Sequence, residues 1–486
     1  MTITAEQQDV AAYLSSLAGG PPTETQISAV FIGADTVWKL KKAVRLPFLD
    51  FSQIDAREHF LRRERELNHP AAPDIYRDVV AVSRDANGRL HFGDANPVDW
   101  VLRMAPVPAG DFLDVIAANG TLTPDRLDAL ADCVAAYHGR LAPVRGQDNA
   151  AILARIAQGN VQSALRAGLP PAAIEAWHRA ITAAIEAHRP WLAERSASGC
   201  IRRCHGDLHL GNFCLWQGKP VAFDALEFDE ALATIDIGYD LAFLLMDLDR
   251  RVGRAAANRV MNRYVARTGD IGLAGYPVFL SLRAMIRAHV LTAMGQDGAP
   301  YLAAAQAYLQ PVPSMVIAIG GLQGTGKSTL ARALAPELGP APGALIVRSD
   351  EIRKRLFGAD PETRLPPEAY TQAANQRTNT EVIRIARTAA GSPHGVIIDA
   401  TFLDLAMRKE LTGAIRQAGI PFRGVWLQAP LHVLEARINA RAGDASDATV
   451  AVLRQSARND PGAGDWVAVD ATDGQQALKT VRALTT

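Results

Sequence analysis

Short apolar runs separated by polar residues fill the first hundred positions, and they indicate a small β-sheet with a flanking helix. An amphipathic pattern over residues 1–20 predicts a first helix, which ends at two glycines followed by two prolines. A stretch dense in Arg and Glu, residues 53–68, predicts a second helix. The turn-forming sequence Asp-Ala-Asn-Gly at residues 85–88 predicts a hairpin. Strands are predicted at residues 27–32, 36–44, 79–83, 90–92 and 100–104.

The pattern becomes helical and rich in alanine over residues 111–195, and helical sequence resumes over 236–310. Two short strands are predicted between these stretches, at 213–216 and 220–224. The proline-containing run 310–314 is typical of a linker, so we predict that a first domain ends there. Its predicted bounds are residues 1–310, with a small lobe at about 21–105 and a helical large lobe at about 106–310.

Strands alternate with helices in the rest of the chain, residues 315–486. This alternation predicts a parallel sheet built from βαβ units. The expected fold class is therefore α/β and α+β in two domains, with the parallel sheet in the C-terminal one. Its strands are predicted at residues 315–319, 344–348, 395–399 and 424–427.

Composition narrows the class of protein and of partner. At 486 residues the chain is too long for one ordinary core, and 48% apolar with 21% charged residues is typical of a globular protein. Lys plus Arg equals Asp plus Glu, at 51 each, so the charge balance gives no reason to expect a nucleic-acid or membrane partner. No apolar run reaches about 18 residues, and no signal peptide is evident. We expect a cytoplasmic protein whose four cysteines stay reduced.

A Gly-x-x-x-x-Gly-Lys-Ser sequence follows the first predicted strand of the second half and comes directly before a predicted helix. Glycines at these positions let backbone amides turn inward around phosphate oxygens, and the helix directs its positive N-terminal end at them. We predict that Lys327 reaches the β- and γ-phosphates of ATP and that Ser328 binds Mg²⁺. The residues predicted to bind the nucleotide are Gly321, Gly324, Thr325, Gly326, Lys327, Ser328 and Thr329.

Four further residues in this half are candidates for the chemistry. Asp399 ends an apolar strand, where it could organise Mg²⁺, although an Asp at a strand end is often only a helix cap. Asp350 closes the second strand and would lie across the phosphate site as a base for an acceptor hydroxyl, or it would cap the next helix. Arg437 and Arg441 are four residues apart on one helix face. They could close over the nucleotide and stabilise the transferring phosphate, or form a solvated basic face.

The sequence His-Gly-Asp-Leu-His-Leu-Gly-Asn at residues 205–212 is the clearest motif in the first half. Asp207 and Asn212, five residues later, have the spacing of a kinase-like catalytic loop. In such a loop the Asp orients or deprotonates the acceptor hydroxyl and the Asn holds Mg²⁺. Asp224, at the end of a predicted strand, matches the second metal-binding Asp. We expect His205 to brace the loop through hydrogen bonds.

The predicted small lobe supplies candidates for the rest of such a site. Lys39 and Lys41 lie two apart on one strand and share a face, so one of them, with Lys39 favoured, should bind the α- and β-phosphates. Glu64, on the second helix, is the expected ion-pair partner. Met104 lies in the strand expected beside adenine. The competing carboxylates are Glu58 and Glu66, and a solvated helix face is the alternative for any of the three.

Residues 315–475 resemble the small P-loop kinases of the zeta-toxin, gluconate-kinase and chloramphenicol-phosphotransferase type. The resemblance rests on the segments GGLQGTGKST, RSDEIRKRLF, VIIDATF and RINARAGDASDATV. In those families the Asp after the second strand contacts or deprotonates the acceptor, and arginines of a lid hold the phosphates. The resemblance therefore implies these roles for Asp350, Arg437 and Arg441.

Residues 21–310 resemble the aminoglycoside-phosphotransferase and choline-kinase family, through HGDLHLGN, the later Phe-Asp at 223–224 and Asp-Leu-Ala at 240–242. The resemblance implies a protein-kinase-like fold for this domain. One feature departs from a kinase pattern, because no glycine-rich phosphate loop precedes Lys39 and the chain has only Phe-Ile-Gly-Ala-Asp at 31–35. The whole chain resembles bacterial fusions of an aminoglycoside-phosphotransferase-like domain and an ATP-binding domain.

We therefore expect a small-molecule kinase with two sites, each using ATP and Mg²⁺ to phosphorylate a hydroxyl group. A sugar or polyol is the favoured acceptor, and the two sites could act in sequence on one metabolite. Three alternatives stay open: a P-loop kinase with a regulatory nucleotide-binding first domain, a toxin-like or nucleic-acid 5′-kinase, and an antibiotic phosphotransferase. The acidic residues Glu227 and Asp229 are a faint hint of a pocket for a cationic acceptor.

Overall fold

The computed structural model of the chain describes residues 2–46, 49–392, 394–440 and 446–485. The α-helices are α1 Gln8–Ala18, α2 Ile54–Asn68, α3 Leu113–Ala118, α4 Pro124–Arg140, α5 Asn149–Ala167, α6 Pro171–Ala187, α7 Arg189–Ala197, α8 Glu230–Ala233, α9 Ile237–Arg251, α10 Arg254–Thr268, α11 Tyr276–Ala293, α12 Ala299–Ala307, α13 Lys327–Leu334, α14 Ser349–Leu356, α15 Gln372–Ala390, α16 Leu405–Gln417, α17 Leu431–Asn439, α18 Val450–Arg458 and α19 Gly474–Arg482. The strands are β1 Thr23–Glu24, β2 Ser28–Ile32, β3 Val37–Lys41, β4 Arg45–Leu46, β5 Leu49–Asp50, β6 Tyr76–Arg84, β7 Leu90–Phe92, β8 Pro97–Met104, β9 Ile201–Arg203, β10 Phe213–Trp216, β11 Lys219–Ala222, β12 Thr234–Asp236, β13 Val316–Gly321, β14 Leu345–Arg348, β15 Val396–Asp399, β16 Phe422–Gln428 and β17 Val467–Asp470.

The chain forms two compact units that are interleaved in sequence. The domain boundary that we predict at residues 310–314 stays a prediction. The first unit comprises Met1–Leu122, Arg140–Arg145 and Gly199–Asp240, and the second comprises Thr123–Gly139, Gly146–Ser198 and Leu241–Thr486.

A six-stranded antiparallel sheet forms the centre of the first unit, with the strand order β1-β2-β3-β8-β6-β7. The five strands and the helix predicted around residues 21–105 are confirmed, and the predicted hairpin joins β6 to β7. In the register, Lys39 of β3 lies opposite Val30 of β2 and Leu102 of β8. Because side chains alternate along a strand, Lys39 and Lys41 share a face of the sheet.

The two faces of this sheet are covered by different helices. On one face, Leu14 of α1 packs with Phe31 and Val101 in a cluster of buried side chains. On the other, Leu61 of α2 packs with Leu102, the next residue along β8. Full burial of such side chains stabilises each by roughly 1.5–3 kcal/mol, so packing against both faces fixes α2 beside the lysines of β3.

Strands β10 and β11 form a hairpin that directly follows the catalytic-loop motif in the sequence. Its turn contains Gln217 at φ +51° and Gly218 at φ +79°, the backbone signs of a type I′ turn. The predicted second strand, residues 220–224, is partly wrong, because β11 ends at Ala222. Asp224 lies beyond the strand at φ +61°, and this sharp change of backbone direction ends the pairing.

The second unit contains helices α4–α7 and α9–α12, as the helical pattern predicts, and a five-stranded parallel sheet. The sheet order is β14-β15-β13-β16-β17, which confirms the prediction of a parallel βαβ architecture. The sequence analysis did not predict β17. The central strand β13 is buried along its whole length. Across the described parts of the chain, no helix is both long and apolar enough to cross a bilayer.

Candidate active sites

The Gly-rich loop of the second unit joins the buried strand β13 to the N-terminus of α13. Three of its glycines, Gly321, Gly324 and Gly326, have φ of +141°, +85° and +88°. A Cβ atom on Gly324 would lie 2.8 Å from the carbonyl oxygen of Leu434. The loop therefore needs glycine both for its backbone conformation and for its close packing. A loop of this shape before a helix N-terminus can surround an anion with backbone N–H groups.

Side chains within the loop hold its shape. The Thr325 hydroxyl is buried and donates a hydrogen bond to the carbonyl of Leu322 at 2.8 Å. The Lys327 ammonium donates to the carbonyls of Gly321 and Leu322, at 3.0 and 2.9 Å. Thr329 is exposed in the first turn of α13. Thr325 can thus act on a nucleotide through its backbone, while Lys327 and Thr329 present side chains to the cavity.

Ser328 and Asp399 come together at the carboxyl edge of the parallel sheet. The Ser328 hydroxyl donates to Asp399 Oδ2 at 2.6 Å. Arg348, which the strand register places beside Asp399, donates to the same carboxylate at 3.3 Å and to Ser328 Oγ at 3.1 Å. Carboxylate and hydroxyl oxygens are the ligands that Mg²⁺ prefers, so these two side chains fit a magnesium ion. The next helix is capped by Asp404, so Asp399 is not a helix cap.

Asp350 lies in the first turn of α14, and Arg348 is the N-cap position of that helix, so the capping alternative for Asp350 is wrong. Burial raises the pKa of the Asp350 carboxyl, and the charge of Asp399 adds to this, while Arg348 and Lys327 act in the opposite direction. A carboxylate with a raised pKa near the phosphate loop is suited to accept a proton.

A cavity of about 1290 Å³ extends from the Gly-rich loop past Asp350 to α17 and the start of α19. Arg437 lines it, but its guanidinium donates to the carbonyls of Gly324 at 3.4 Å, Ala471 at 3.0 Å and Thr472 at 2.9 Å. These bonds anchor α17 to the loop, so Arg437 does more than form a solvated face. Arg441 lies outside the described residues.

Several polar residues that line this cavity were not predicted from the sequence, among them Arg353. The Arg353 guanidinium lies 5.0 Å over the ring of Tyr370 and donates to the carbonyl of Ala369 at 2.6 Å. Its spacing of three from Asp350, on one helix face, is a signal that could have identified it. Arg348 gives no such signal, because only the register of β14 against β15 brings it to Asp399. Other missed residues that line the cavity with Arg353 are Arg364, Tyr370 and Asp447.

In the first unit, the Lys39 ammonium lies 2.7 Å from Glu64 Oε1 and 2.7 Å from Asp224 Oδ1. The second oxygen of Glu64 is 2.9 Å from the Lys41 ammonium. Glu64 is fully buried and thus bridges both lysines, which the sequence treated as alternatives. The competitors pair elsewhere on α2, Glu58 with Arg62 and Glu66 with Arg63.

This ion cluster is strongly coupled. Burial alone would raise the pKa of Glu64, but Lys39 and Lys41 outweigh it and lower the pKa to about 2. Lys41 also lies 2.5 Å from Glu227 Oε1, and burial raises the pKa of that carboxyl. Glu227 is buried and paired, and Asp229 caps α8 by accepting from two backbone N–H groups. Both carboxylates are therefore already bound to groups of the chain itself.

The structure brings the predicted residues of the catalytic loop together. The Asn212 amide donates to the Asp207 carbonyl at 2.8 Å and to its carboxylate at 2.9 Å. The Phe223 N–H donates to the Asn212 carbonyl at 3.0 Å, which brings Asp224 beside the loop. The side chains of Asp207 and Asp224 are each 43% exposed, so both are accessible to a ligand. The three carboxylate and amide side chains fit Mg²⁺ by their chemistry.

Hydrogen bonds from buried residues hold the catalytic loop in place. His205 Nε2 lies 2.9 Å from the carbonyl of Phe223, in the bracing role expected for it, and burial lowers the pKa of the imidazole. The buried Asp240 carboxylate accepts from the N–H groups of His205 and Gly206, at 3.1 and 2.9 Å. Sequence analysis missed Tyr76, whose hydroxyl accepts from the Asp224 N–H at 3.0 Å. No sequence motif marks that tyrosine.

Met104 is the half-buried last residue of β8, opposite Val37 of β3. The connection from β2 to β3 is a tight turn, in which the Gly33 N–H donates to the Thr36 carbonyl at 2.9 Å. A Cβ atom on Gly33 would lie 2.9 Å from the ring of Trp38. The missing glycine-rich loop is thus replaced by a compact hairpin turn.

Comparison with known proteins identifies the family to which the chain belongs. A family model described as "Phosphotransferase enzyme family" (APH) matches residues 56–277, and one described as "AAA domain" (AAA_33) matches residues 316–459. The uncharacterized protein Rv2004c of Mycobacterium tuberculosis is 30% identical over 465 residues, which cover 91% of this chain and 90% of that protein. The chain belongs to this family of fused phosphotransferase and P-loop proteins.

Further similarities of this fusion protein concern one domain at a time. The adenylyl-sulfate kinase of Myxococcus xanthus is 32% identical over 122 residues, 25% of this chain and 62% of that enzyme. A choline kinase structure from Cryptosporidium parvum covers 59% of this chain and 87% of its own at 11% identity and TM-score 0.38. A gluconokinase structure from Sinorhizobium meliloti covers 36% and 95%, at 20% identity and TM-score 0.26.

The family match confirms the two resemblances stated from the sequence motifs, and with them the fold class: a kinase-like N-terminal domain and a P-loop C-terminal domain. Both domains of the fusion protein are kinase-like, and this supports phosphotransfer as its chemistry.

Proposed function

We propose that this fusion protein is an ATP- and Mg²⁺-dependent kinase with two phosphotransferase sites. One site belongs to a domain over residues 1–310 and the other to a domain over 315–486. Each transfers the γ-phosphate of ATP to a hydroxyl group of a small metabolite in the cytoplasm, with a sugar or polyol favoured. The observation that carries the proposal is that each unit separately assembles a cation, a candidate base and oxygen ligands for a metal.

At the P-loop site, Asp350 takes the proton of the acceptor hydroxyl as its oxygen attacks the γ-phosphorus. The bond from that phosphorus to the bridging oxygen of ADP breaks, and ADP leaves. Lys327 and the N-terminus of α13 hold the phosphate oxygens and stabilise the charge that spreads over them. Ser328 and Asp399 would hold Mg²⁺, which neutralises the phosphate charge when bound.

At the kinase-like site, Glu64 holds Lys39 at the position where the α- and β-phosphates of ATP would bind. Asp207 orients the acceptor hydroxyl and receives its proton, and its 2.9 Å bond to the Asn212 amide sets the direction of the carboxylate. Asn212 and Asp224 would hold Mg²⁺. Met104, at the end of β8, would lie beside adenine.

The test compares wild-type protein with Asp207→Ala and Lys327→Ala on a panel of sugars, polyols, amino alcohols and aminoglycosides. ATP consumption and product mass are measured, and Lys409→Ala, an exposed lysine on α16, serves as control. We expect each site variant to lose a different phosphorylation while the control keeps both. A protein in which neither variant changes any ATP-dependent product would contradict the proposal.

A second candidate function keeps the P-loop site as the kinase and makes the kinase-like domain a nucleotide- or ligand-binding regulatory module. The tight turn between Gly33 and Thr36 favours it, because a glycine-rich loop that would cover the phosphates is replaced there. Loss of all turnover in Lys327→Ala, with full turnover in Asp207→Ala, would establish this function instead. The antibiotic phosphotransferase stays a third candidate, which the aminoglycosides of the same panel test.

A further inference from the structure

Helix α10 covers the edge of the parallel sheet within the second unit. Asn262 of α10 accepts from the Ile346 N–H at 2.7 Å and donates to the Ala344 carbonyl at 3.1 Å. Asn258, one turn earlier, donates to the same carbonyl at 3.0 Å. These side-chain amides satisfy backbone groups of β14 as a neighbouring strand would. Since β14 leads directly into Asp350, α10 supports the strand that carries the proposed base.

The next turns of the same helix contact the segment that follows α14. Arg263 Nη1 lies 2.5 Å from Glu362 Oε1, and Arg267 lies 2.6 Å from Asp360 Oδ1 and 3.3 Å from Glu362 Oε2. Behind them, Asp132 of α4 binds both guanidinium groups, with four N–O distances between 2.7 and 2.9 Å. The two arginine side chains are only 17% and 21% exposed. Their planar groups are therefore oriented from α4 and directed at the acidic segment.

The acidic residues come just before the wall of the P-loop cavity. Asp360 and Glu362 are followed by Arg364 and Leu365, and then by Tyr370, all three of which line the cavity beside Asp350. The Thr363 N–H donates to the Asp360 carbonyl at 2.9 Å, so the segment turns directly after its contact with α10. Contacts that hold residues 360–362 in place therefore also position the cavity-lining residues that follow them.

We propose that Arg263 and Arg267 are positioning residues for the acceptor side of the P-loop site. They are not among the residues that line the cavity, and they act by holding residues 360–370 in place beside Asp350. Helix α10 lies within the region matched by the phosphotransferase family model, so the P-loop kinase depends on a helix outside its own family region. This inference rests on the proposed function only for the identity of the reaction.

Two pairs of substitutions test the contact from either side, and the helix supplies a matched control. The first variant is Arg263→Gln with Arg267→Gln, and the second is Asp360→Asn with Glu362→Gln, whose side chains are 75% and 48% exposed. The control is Arg259→Gln, since Arg259 lies one turn earlier on α10 and pairs with Asp128 of α4.

Two readouts are measured on the full-length chain. Hydrogen exchange of the backbone amides of residues 359–371 reports how firmly this side of the cavity is held, and it needs no substrate. Steady-state kinetics use whichever panel compound gives the largest Lys327-dependent product, with separate KM values for that compound and for ATP. We expect both paired variants to speed exchange in this segment at least tenfold and to raise the acceptor KM at least tenfold. The KM for ATP should change less than twofold, and Arg259→Gln should change none of these.

Unchanged exchange in both paired variants would overturn the inference, as would an equal rise of both KM values or the same effect in Arg259→Gln. If no panel compound gives a Lys327-dependent product, the proposed function fails at that site. The exchange measurement then still decides whether α10 holds the segment.

Discussion

The buried carboxylate of Glu64 offers the sharpest test of the first unit. It is fully buried, and each of its oxygens accepts from a different lysine, at 2.7 and 2.9 Å. Glu64→Gln keeps the shape but provides one acceptor oxygen and one donor nitrogen. One lysine must therefore lose its bond to residue 64 whichever way the amide turns, and it keeps only its second partner, Asp224 for Lys39 or Glu227 for Lys41. Losing one hydrogen bond to a charged group costs about 1.5–3 kcal/mol.

The pKa of Glu64 gives the pH dependence of this effect. Lys39 and Lys41 outweigh burial and lower the pKa of this carboxyl in the folded protein, so its ionised form stabilises the fold. Because the folded-state pKa is depressed, this contribution is present above about pH 4.5. It is lost as the pH falls towards about 2, where Glu64 becomes protonated in the folded protein as well. The stability difference between wild type and Glu64→Gln should therefore shrink over the same interval.

The assay is native-state hydrogen exchange of amides in β3 and α2, which reports the opening free energy of this unit directly. The matched control is Glu58→Gln on the same helix, whose carboxylate makes a partly exposed pair with Arg62 at 2.8 Å. Such a pair contributes about 0–1 kcal/mol. We expect a loss of about 1.5–3 kcal/mol for Glu64→Gln at neutral pH. Equal protection in the two variants would refute the reasoning.

Three further predictions concern the P-loop site. Gly324→Ala should abolish binding of a fluorescent ATP analogue, because φ is +85° and the new methyl group would lie 2.8 Å from the Leu434 carbonyl; binding with unchanged affinity would contradict this. Asp399→Asn should raise the Mg²⁺ concentration for half-maximal Lys327-dependent turnover by at least about tenfold, and an unaltered Mg²⁺ titration would exclude the metal role. Because the pKa of Asp350 is raised, the rate of Lys327-dependent turnover should fall on acidification already above pH 3.8. Asp350→Asn should lower this rate by about 10²–10⁴ and remove its fall at acid pH. A fall at acid pH that persists in Asp350→Asn would mean that another group titrates there.

Most of what could be predicted from the sequence came from motifs of neighbouring residues. The Gly-rich loop and the segment from Asp207 to Asn212 have functions set by local spacing, so their geometry follows from neighbouring residues. Glu64 was the expected partner of Lys39, but Glu58 and Glu66 stayed open as competitors, because the choice depends on how α2 is rotated against the sheet. Packing of buried residues such as Leu61 against β8 determines that rotation.

Other features depend on pairings between distant parts of the chain. Arg348 meets Asp399 through the register of two strands about fifty residues apart, and Tyr76 meets Asp224 through tertiary packing. The support of β14 by α10 likewise joins a helix to a strand edge that no motif marks. Hydrophobic periodicity predicts such elements but not which of their side chains meet.

The central claim is that the chain contains two working phosphotransferase sites. The most direct measurement is a mass-resolved product analysis of Asp207→Ala and Lys327→Ala, separately and mixed in one reaction with ATP and the accepted metabolite. Each variant alone should add fewer phosphates than wild type, and the mixture should restore the full number, because each protein supplies the site that the other lacks. If Asp207→Ala alone gives the wild-type product, the first unit does not transfer phosphate and the two-site account is wrong.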